Sequence, residues 1–149
     1  MRLLDRDNIP YTALEINSNK ALSGIEAAEF LGKPPKSVFK TLVTAGKSGE
    51  HYVFVVPSNK TLNLKKAAEI SQEKSIAMIK EKELLPLTGY VHGGCSPIGM
   101  KQNFPCFLDA SAVKSPFIII SAGKIGRHIE IAPQILLKYL NAKPAELCD

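Results

Sequence analysis

Two consecutive strands, predicted at residues 37–44 and 51–57, constrain the fold of this chain more than any other segment. The residues between them, Ala-Gly-Lys-Ser-Gly-Glu, form a glycine-bearing loop of hairpin length. The second strand reads His-Tyr-Val-Phe-Val-Val-Pro and is apolar on both of its faces, a pattern typical of a central strand. The hairpin therefore predicts a sheet that is covered on both sides.

The first strand of this hairpin places one cation in an apolar row. Side chains alternate between the two faces of a strand, so Lys40 shares its face with Val38 and Leu42. Lysine is rarely surrounded by apolar side chains without a partner. The position of Lys40 therefore requires a specific reason.

The remaining patterns indicate an α+β domain of a single unit, residues 1–149. A capping box formed by Ser23 and Glu26 predicts a helix that ends before Gly32, and Asn63 is a typical N-cap. A polar loop is predicted at residues 17–20. The predicted helices cover residues 2–7, 25–31, 63–70, 81–85 (ended by Pro86 and Gly89) and a last segment from Pro133, and the further strands cover residues 11–16, 106–109, 117–121 and 128–131.

Composition places the chain among ordinary globular proteins, with 45% hydrophobic and 22% charged residues in 149. Its longest apolar runs are strand-sized and far below the roughly 18 residues of a membrane span, and the N-terminus does not read as a signal peptide. We therefore expect a cytoplasmic protein. The three cysteines and three histidines are scattered without a C-x-x-C pair, so the sequence indicates free thiols, no metal site and no cofactor.

The net charge of +5 comes from sixteen lysines and three arginines against fourteen acidic residues. Such an excess favours a phosphate-bearing partner, because lysine contacts to a nucleic-acid backbone release counterions. It is also compatible with an ordinary solvated surface. Charge alone therefore leaves both interpretations open.

The loop Tyr-Val-His-Gly-Gly-Cys-Ser-Pro-Ile-Gly at residues 90–99 offers three kinds of chemistry. Cys95 is a potential nucleophile with His92 as its base, although an inert buried cysteine is the simpler interpretation. Ser96 lacks the G-x-S-x-G context of a serine hydrolase. The glycines of this loop, and Gly123 and Gly126 of a second loop, could instead present backbone amides to a carbonyl or a phosphate, or simply form tight turns.

Three segments together resemble the YbaK/EbsC family in order and spacing. They are Val-Phe-Lys-Thr-Leu-Val at 38–43 followed by Leu-Asn-Leu-Lys-Lys-Ala-Ala at 62–68, then the pattern TGY-x-x-GG-x-SP-x-G at 88–99, and Ser-Ala-Gly-Lys-Ile-Gly at 121–126 with Ile-Glu-Ile-Ala-Pro at 129–133. The resemblance covers nearly the whole chain. It implies a mixed, mostly antiparallel, barrel-like β-sheet flanked by helices.

The same resemblance implies a trans-editing deacylase that removes cysteine from mischarged Cys-tRNA(Pro), with prolyl-tRNA synthetase as a partner. The family's mechanism is substrate-assisted, since the thiol of the bound cysteine attacks its own ester carbonyl. Carried over by position, the catalytic residues are Lys40, Gly93, Gly94 and Ser121, and the substrate-binding residues are Thr41, Ile16, Pro97, Gly123 and Lys124.

Several positions depart from the family pattern. Ile16 and Ser23 stand where other members have a tyrosine and a phenylalanine, so amino-acid selectivity does not carry over directly. An acidic residue of some members is His128 here, to which we assign no catalytic role. The alternatives are therefore a water-dependent deacylase for another charged tRNA, such as Ala-tRNA(Pro), and a non-catalytic module that binds a tRNA or a synthetase.

Overall fold

The computed structural model describes residues 1–18 and 20–149; of the polar loop predicted at residues 17–20, Asn19 lies outside the described residues. The elements follow one another in the order α1 (Arg2–Arg6), β1 (Thr12–Glu15), α2 (Gly24–Leu31), β2 (Phe39–Gly46), β3 (His51–Pro57), α3 (Leu64–Ser71), β4 (Ile76–Met78), α4 (Glu81–Thr88), β5 (Cys106–Asp109), β6 (Ile118–Ser121), β7 (Arg127–Ile131), α5 (Pro133–Leu140) and β8 (Lys143–Ala145). Short 3-10 turns precede β2 and follow β5.

The described strands form two sheets. A five-stranded sheet has the order β4-β2-β3-β5-β8, and a three-stranded sheet has the order β1-β7-β6. Four of the six strand pairs are antiparallel, while β5 pairs in parallel with both β3 and β8. The α+β class and the mostly antiparallel pairing are confirmed. Within the described residues the strands do not close into a barrel; a single parallel bridge, Val38 to Ile119, joins the two sheets.

The predicted hairpin is the centre of the larger sheet. Strands β2 and β3 pair in antiparallel register from Phe39–Pro57 to Ala45–His51, and every residue of β3 after His51 is buried. One face of β3 packs into a core with Val53 and Val55, and the other into a second core with Phe54 and Val56. Full burial of each such side chain contributes about 1.5–3 kcal/mol, so the hairpin anchors both layers.

Helix boundaries follow their capping signals. In α2 the Ser23 Oγ accepts from the Glu26 N–H at 3.2 Å, the Glu26 carboxylate accepts from the Ser23 N–H at 3.0 Å, and Gly32 ends the helix with φ +66°. The Asn63 side chain caps α3 in the same manner. The described helices are five to eight residues long, and none is long and apolar enough to span a membrane.

Three local expectations differ from the structure. Helix α4 does not end at Pro86 but continues to Thr88, and Gly89 then closes the helix in a left-handed conformation with its N–H donating to the Leu85 carbonyl at 2.9 Å. A proline in so short a helix removes only one backbone hydrogen bond. The strands β4 and β8 were not predicted, since each has only three residues and no long alternating pattern.

Candidate functional site

A cavity of about 480 Å³ lies at the seam between the two sheets. Strand β2 touches the smaller sheet at the Val38–Ile119 bridge and pairs with β4 only from Thr44 onward. Between these two attachments the backbone edge of β2 is open at Thr41, and residues 39–43 form one wall of the cavity. The other walls come from the start of α2, the segment 78–84, the loop at 92–95, and the ends of β6 and β7.

The register of β2 determines which backbone groups face the cavity. The Ser58 N–H donates to the Val38 carbonyl at 2.8 Å, so Val38 bonds toward β3. The Val43 carbonyl accepts from the Ile79 N–H on the opposite edge, at 3.4 Å. Because bonded and non-bonded pairs alternate in an antiparallel ladder, Thr41 directs its N–H and C=O toward the cavity edge.

A row of side chains crosses four strands at the level where the seam opens. Two residues beyond the Val38–Ile119 bridge are Lys40 and Ser121, which therefore share one face and one level. Ser121 is the register partner of His128, and His128 is the register partner of Leu14. Directly opposed residues in an antiparallel ladder have Cβ atoms about 4.5–5.5 Å apart, so Ser121 is a direct neighbour of His128, and β6 separates β7 from β2 and Lys40.

Two buried polar atoms at this cavity lack a hydrogen-bond partner among the described residues. They are the hydroxyl oxygen Oγ1 of Thr41 and the ring nitrogen Nδ1 of His128. Leaving a buried polar group unsatisfied costs about 1–3 kcal/mol. Burial also lowers the pKa of His128, so its imidazole is neutral at pH 7. Both atoms belong to residues that line the cavity, so each is a candidate group for contact with a ligand.

The glycine loop approaches the cavity through Gly93. Its φ is +90°, and a Cβ there would lie 2.5 Å from the Ala21 Cβ, so both conformation and space require glycine. Gly94 lies behind it, where a Cβ would be 3.2 Å from the Ile125 amide nitrogen, and its own N–H donates to the Val91 carbonyl at 3.0 Å. Of the two glycines, only Gly93 lines the cavity.

Internal hydrogen bonds hold the loop in place. The Thr88 hydroxyl accepts from the Tyr90 N–H at 3.0 Å, and the Tyr90 hydroxyl donates to the Ile98 carbonyl across the loop. The Ser96 hydroxyl is fully buried and accepts from the Ile98 N–H at 3.1 Å. Ser96 therefore stabilises the loop conformation and is not presented to the cavity.

Cys95 lines the cavity but is not an activated thiol. Burial raises its pKa to about 11, with a hydrogen bond from Thr88 acting in the opposite direction. A reactive cysteine requires a lowered pKa from a base, a cation or a helix N-terminus. His92, its sequence neighbour, is exposed at the cavity. The simpler interpretation, an inert buried cysteine, agrees with this geometry.

The structure brings together four of the predicted site residues, because Lys40, Thr41, Gly93 and Ser121 all line the cavity. Gly94 packs directly behind that wall. The other predicted contacts are Ile16, which is buried beside the β6–β7 turn, and Pro97, Gly123 and Lys124, none of which lines the described cavity.

Sequence reasoning gave no role to two parts of the cavity wall. The first is His128, whose position opposite Ser121 follows from the register of the β6–β7 hairpin. The second is the wall formed by β4 and the start of α4, from Met78 to Glu81, which the short apolar run Ile-Ala-Met-Ile could have indicated. Among the described residues, no group of three histidine, cysteine, aspartate or glutamate side chains is placed to hold a metal ion.

Comparisons with known proteins identify the domain. The model of the aminoacyl-tRNA editing domain matches residues 19–139. EbsC of Enterococcus faecalis, provisionally named a Cys-tRNA(Pro)/Cys-tRNA(Cys) deacylase, is 43% identical over 148 residues, which cover 99% of this chain and 90% of EbsC. The proline–tRNA ligase of Fervidobacterium nodosum is 29% identical over 107 residues, 64% of this chain but only 18% of the ligase.

A solved structure agrees with these sequences. It is provisionally described as a trans-editing enzyme for prolyl-tRNA synthetase, and it superimposes with a TM-score of 0.84 at 26% identity, over 93% of this chain and 87% of that one. The matched region contains the open edge of β2, the Gly93 loop and Ser121. The chain belongs to the aminoacyl-tRNA editing domain family.

Proposed function

We propose that this protein is an aminoacyl-tRNA deacylase that clears cysteine from Cys-tRNA(Pro) in trans. The observation that carries the proposal is one cavity that is lined by Lys40, Thr41, Gly93 and Ser121. The protein's own cysteine at this cavity, Cys95, has a raised pKa. A volume of about 480 Å³ suits a small ligand, such as an aminoacyl group with its ribose. The similarity to EbsC supports the choice of substrate.

Such an enzyme corrects an error that the synthetase cannot avoid by binding alone. A synthetase pocket built for proline cannot strongly reject an amino acid of nearly the same size, because small differences in apolar contact give only about 10- to 200-fold discrimination. A second, hydrolytic site that tests another property of the amino acid removes the error. For cysteine that property is its thiol.

The reaction that fits this cavity uses the substrate thiol as nucleophile. The cysteinyl sulfur attacks the ester carbonyl, a carbon–sulfur bond forms, and the carbon–oxygen bond to the ribose breaks, leaving a thiolactone and a ribose hydroxyl. Holding the reacting groups in place supplies several kcal/mol. In this proposal the open-edge N–H of Thr41 and the backbone of Gly93 stabilise the carbonyl oxygen, and one such donor contributes about 3–4 kcal/mol.

Lys40 supplies the positive charge on this side of the cavity. Its side chain is partly buried, in the same row as Ser121, and at the point where the seam opens. A cation there stabilises a phosphate or ribose of the tRNA terminus, or the charge that develops on the carbonyl oxygen. Either role explains why the apolar face of β2 contains a lysine.

The partner and the cellular location follow from the same proposal. The similarity to part of a proline–tRNA ligase supports an association with prolyl-tRNA synthetase, which produces the mischarged substrate. A trans-editing enzyme of this kind acts in the cytoplasm, where aminoacyl-tRNA is made. A pull-down of prolyl-tRNA synthetase by the purified chain, with and without tRNA, measures the association.

A deacylation panel tests the function. Purified protein is incubated with tRNA(Pro) charged with cysteine, alanine, proline or serine, and the remaining aminoacyl-tRNA is measured over time. We expect cysteine to be released and serine to be retained, because an alcohol is a poorer internal nucleophile than a thiol. Release of alanine instead indicates a water-dependent deacylase, and salt-sensitive tRNA binding without any release indicates a binding module.

The variant Lys40→Ala tests the site. We expect it to lose at least about 100-fold of the cysteine-releasing activity, the scale found for removal of a well-placed electrostatic group. Lys47→Ala is the matched control, since Lys47 is exposed in the β2–β3 loop and away from the cavity. Full activity of Lys40→Ala would exclude the role given to the lysine.

A further inference from the structure

We propose that His128 is the general base of this site, and that its imidazole accepts the thiol proton of the bound cysteinyl group. The inference rests on the proposed function and assigns a residue to it. Three observations carry it: His128 lines the cavity, it stands opposite Ser121 in the row that begins with Lys40, and it has a buried ring nitrogen without a partner.

Most buried polar side-chain atoms in proteins have a hydrogen-bond partner. The side chain of His128 is 8% exposed, yet Nδ1 has no partner among the described residues. Its neighbours on the flanking strands are Leu14, which is apolar, and Ser121, whose hydroxyl makes no hydrogen bond to the ring in the described structure. The fold therefore places a buried imidazole at the cavity, and no hydrogen bond from Nδ1 ties this imidazole to the described residues.

The electrostatic surroundings keep this imidazole neutral. Burial lowers the pKa of His128 below its ordinary value of about 6.5. The neighbouring charges of its own and the adjacent strand are paired, Arg127 with Glu15 at 3.8 Å and Glu130 with Lys33 at 3.5 Å. The titratable groups from other elements at the cavity are Lys40, Lys80, Glu81, His92 and Cys95. A neutral ring can accept a proton.

The proton has a complete path in the proposed step. The imidazole takes the proton of the thiol as sulfur bonds to the carbonyl carbon, and it returns that proton to the ribose oxygen as the carbon–oxygen bond breaks. No oxidant, metal or protein nucleophile is needed for this balance. A single residue thus serves as base and then as acid.

The pH dependence of the rate tests this role. A free thiol has a pKa of about 8.5, so only about 3% is thiolate at pH 7. With His128 as base, the wild-type rate stays level from pH 8.5 down to pH 6.5 and falls only when the ring is protonated. In His128→Asn only the thiolate reacts, so we expect a loss of about 30-fold at pH 7 that shrinks to a few-fold near pH 9.

The experiment uses single-turnover release of cysteine from Cys-tRNA(Pro) between pH 5.5 and 9, with spontaneous hydrolysis subtracted. His51→Asn is the matched control, because His51 packs against Phe104 away from the cavity and should leave the profile unchanged. His128→Gln is measured alongside in case the Asn variant is unstable. The wild-type profile requires no variant at all.

Each outcome decides the proposal. A level wild-type rate with alkaline recovery of the variant supports it. A wild-type rate that climbs tenfold per pH unit, a variant deficit equal at every pH, or an acyl-enzyme on Ser121 detected by mass spectrometry would overturn it. If the wild-type protein releases no cysteine at any pH, the deacylase function fails instead, so the two failures are distinguishable.

Discussion

Replacing Thr41 by valine should stabilise the protein while it impairs the reaction. Valine has nearly the shape of threonine but lacks the hydroxyl, and in this structure Oγ1 of Thr41 is buried without a partner. An unsatisfied buried hydroxyl costs about 1–3 kcal/mol, so Thr41→Val should raise the free energy of unfolding by at least about 1 kcal/mol. For a chain of 149 residues that corresponds to a rise in Tm of about 2–4 °C.

The same strand provides a control of opposite sign. Thr44 is fully buried, and its hydroxyl donates to the Tyr52 carbonyl at 3.0 Å. Thr44→Val removes a satisfied hydrogen bond and should lower the free energy of unfolding by about 0.5–1.5 kcal/mol. Urea unfolding of both variants, followed by circular dichroism, measures the two changes under identical conditions.

Activity supplies the second half of this prediction. If Oγ1 of Thr41 bonds the substrate, Thr41→Val loses a hydrogen bond of about 0.5–1.5 kcal/mol, which corresponds to a decrease of roughly 2- to 12-fold in kcat/KM. Thr44 lies outside the cavity wall, so Thr44→Val should keep its kcat/KM. The reasoning is refuted if Thr41→Val is less stable than the wild type, or if it is more stable but fully active.

Three further predictions concern other parts of the fold. Cys95→Ala should keep the deacylase rate and lose on the order of 1 kcal/mol of stability, and complete loss of activity in a folded variant would restore the covalent mechanism. Gly93→Ala should lose activity, because φ is +90° and the new Cβ would lie 2.5 Å from the Ala21 Cβ; circular dichroism checks that the variant is folded. The hydrogen bonds from Ser48 and Tyr52 lower the pKa of Glu73, so its ionised form contributes stability above its unfolded pKa of about 4.5 and loses it as the pH falls through the lower, folded value. Urea unfolding of Glu73→Gln should therefore show a stability deficit at pH 7 that shrinks as the pH is lowered below about 4.5, whereas a deficit that does not change with pH would contradict this account.

Long periodic segments and capping residues were predictable from the sequence. The hairpin of β2 and β3 has an apolar pattern that fixes both the elements and their central place, and Ser23, Glu26 and Asn63 cap helices as their chemistry requires. The strands β4 and β8 were not predictable, because three residues carry too little pattern to outweigh loop conformations. The prediction that the helix ends at Pro86 was wrong for a related reason, because a single local signal does not decide where a short helix ends.

The residues of the site were predictable only where a local pattern or motif singles them out. Lys40 was recognisable as a lone cation in an apolar row, and Gly93 and Ser121 were recognisable from the motifs around them. The seam between the two sheets was not predictable from the sequence. The position of β2 relative to β6 is set by long-range contacts such as the Val38–Ile119 bridge. His128 lines the cavity because strand pairing places it opposite Ser121, and the sequence alone does not give that pairing.

The seam also explains how this fold can hold reactive polar groups near its core. Two unpartnered side-chain atoms beside the open strand edge, Thr41 Oγ1 and His128 Nδ1, together cost about 2–6 kcal/mol, a large fraction of the 5–15 kcal/mol that stabilises an ordinary domain. A ligand that pairs with these groups regains that free energy on binding, and it does so best with the geometry that the cavity holds fixed. If the bonds form most fully as the carbonyl oxygen becomes an oxyanion, the regained free energy lowers the barrier rather than tightening substrate binding. Backbone donors, the His128 imidazole as acceptor and the Lys40 cation then suffice for catalysis, provided that the nucleophile arrives with the substrate.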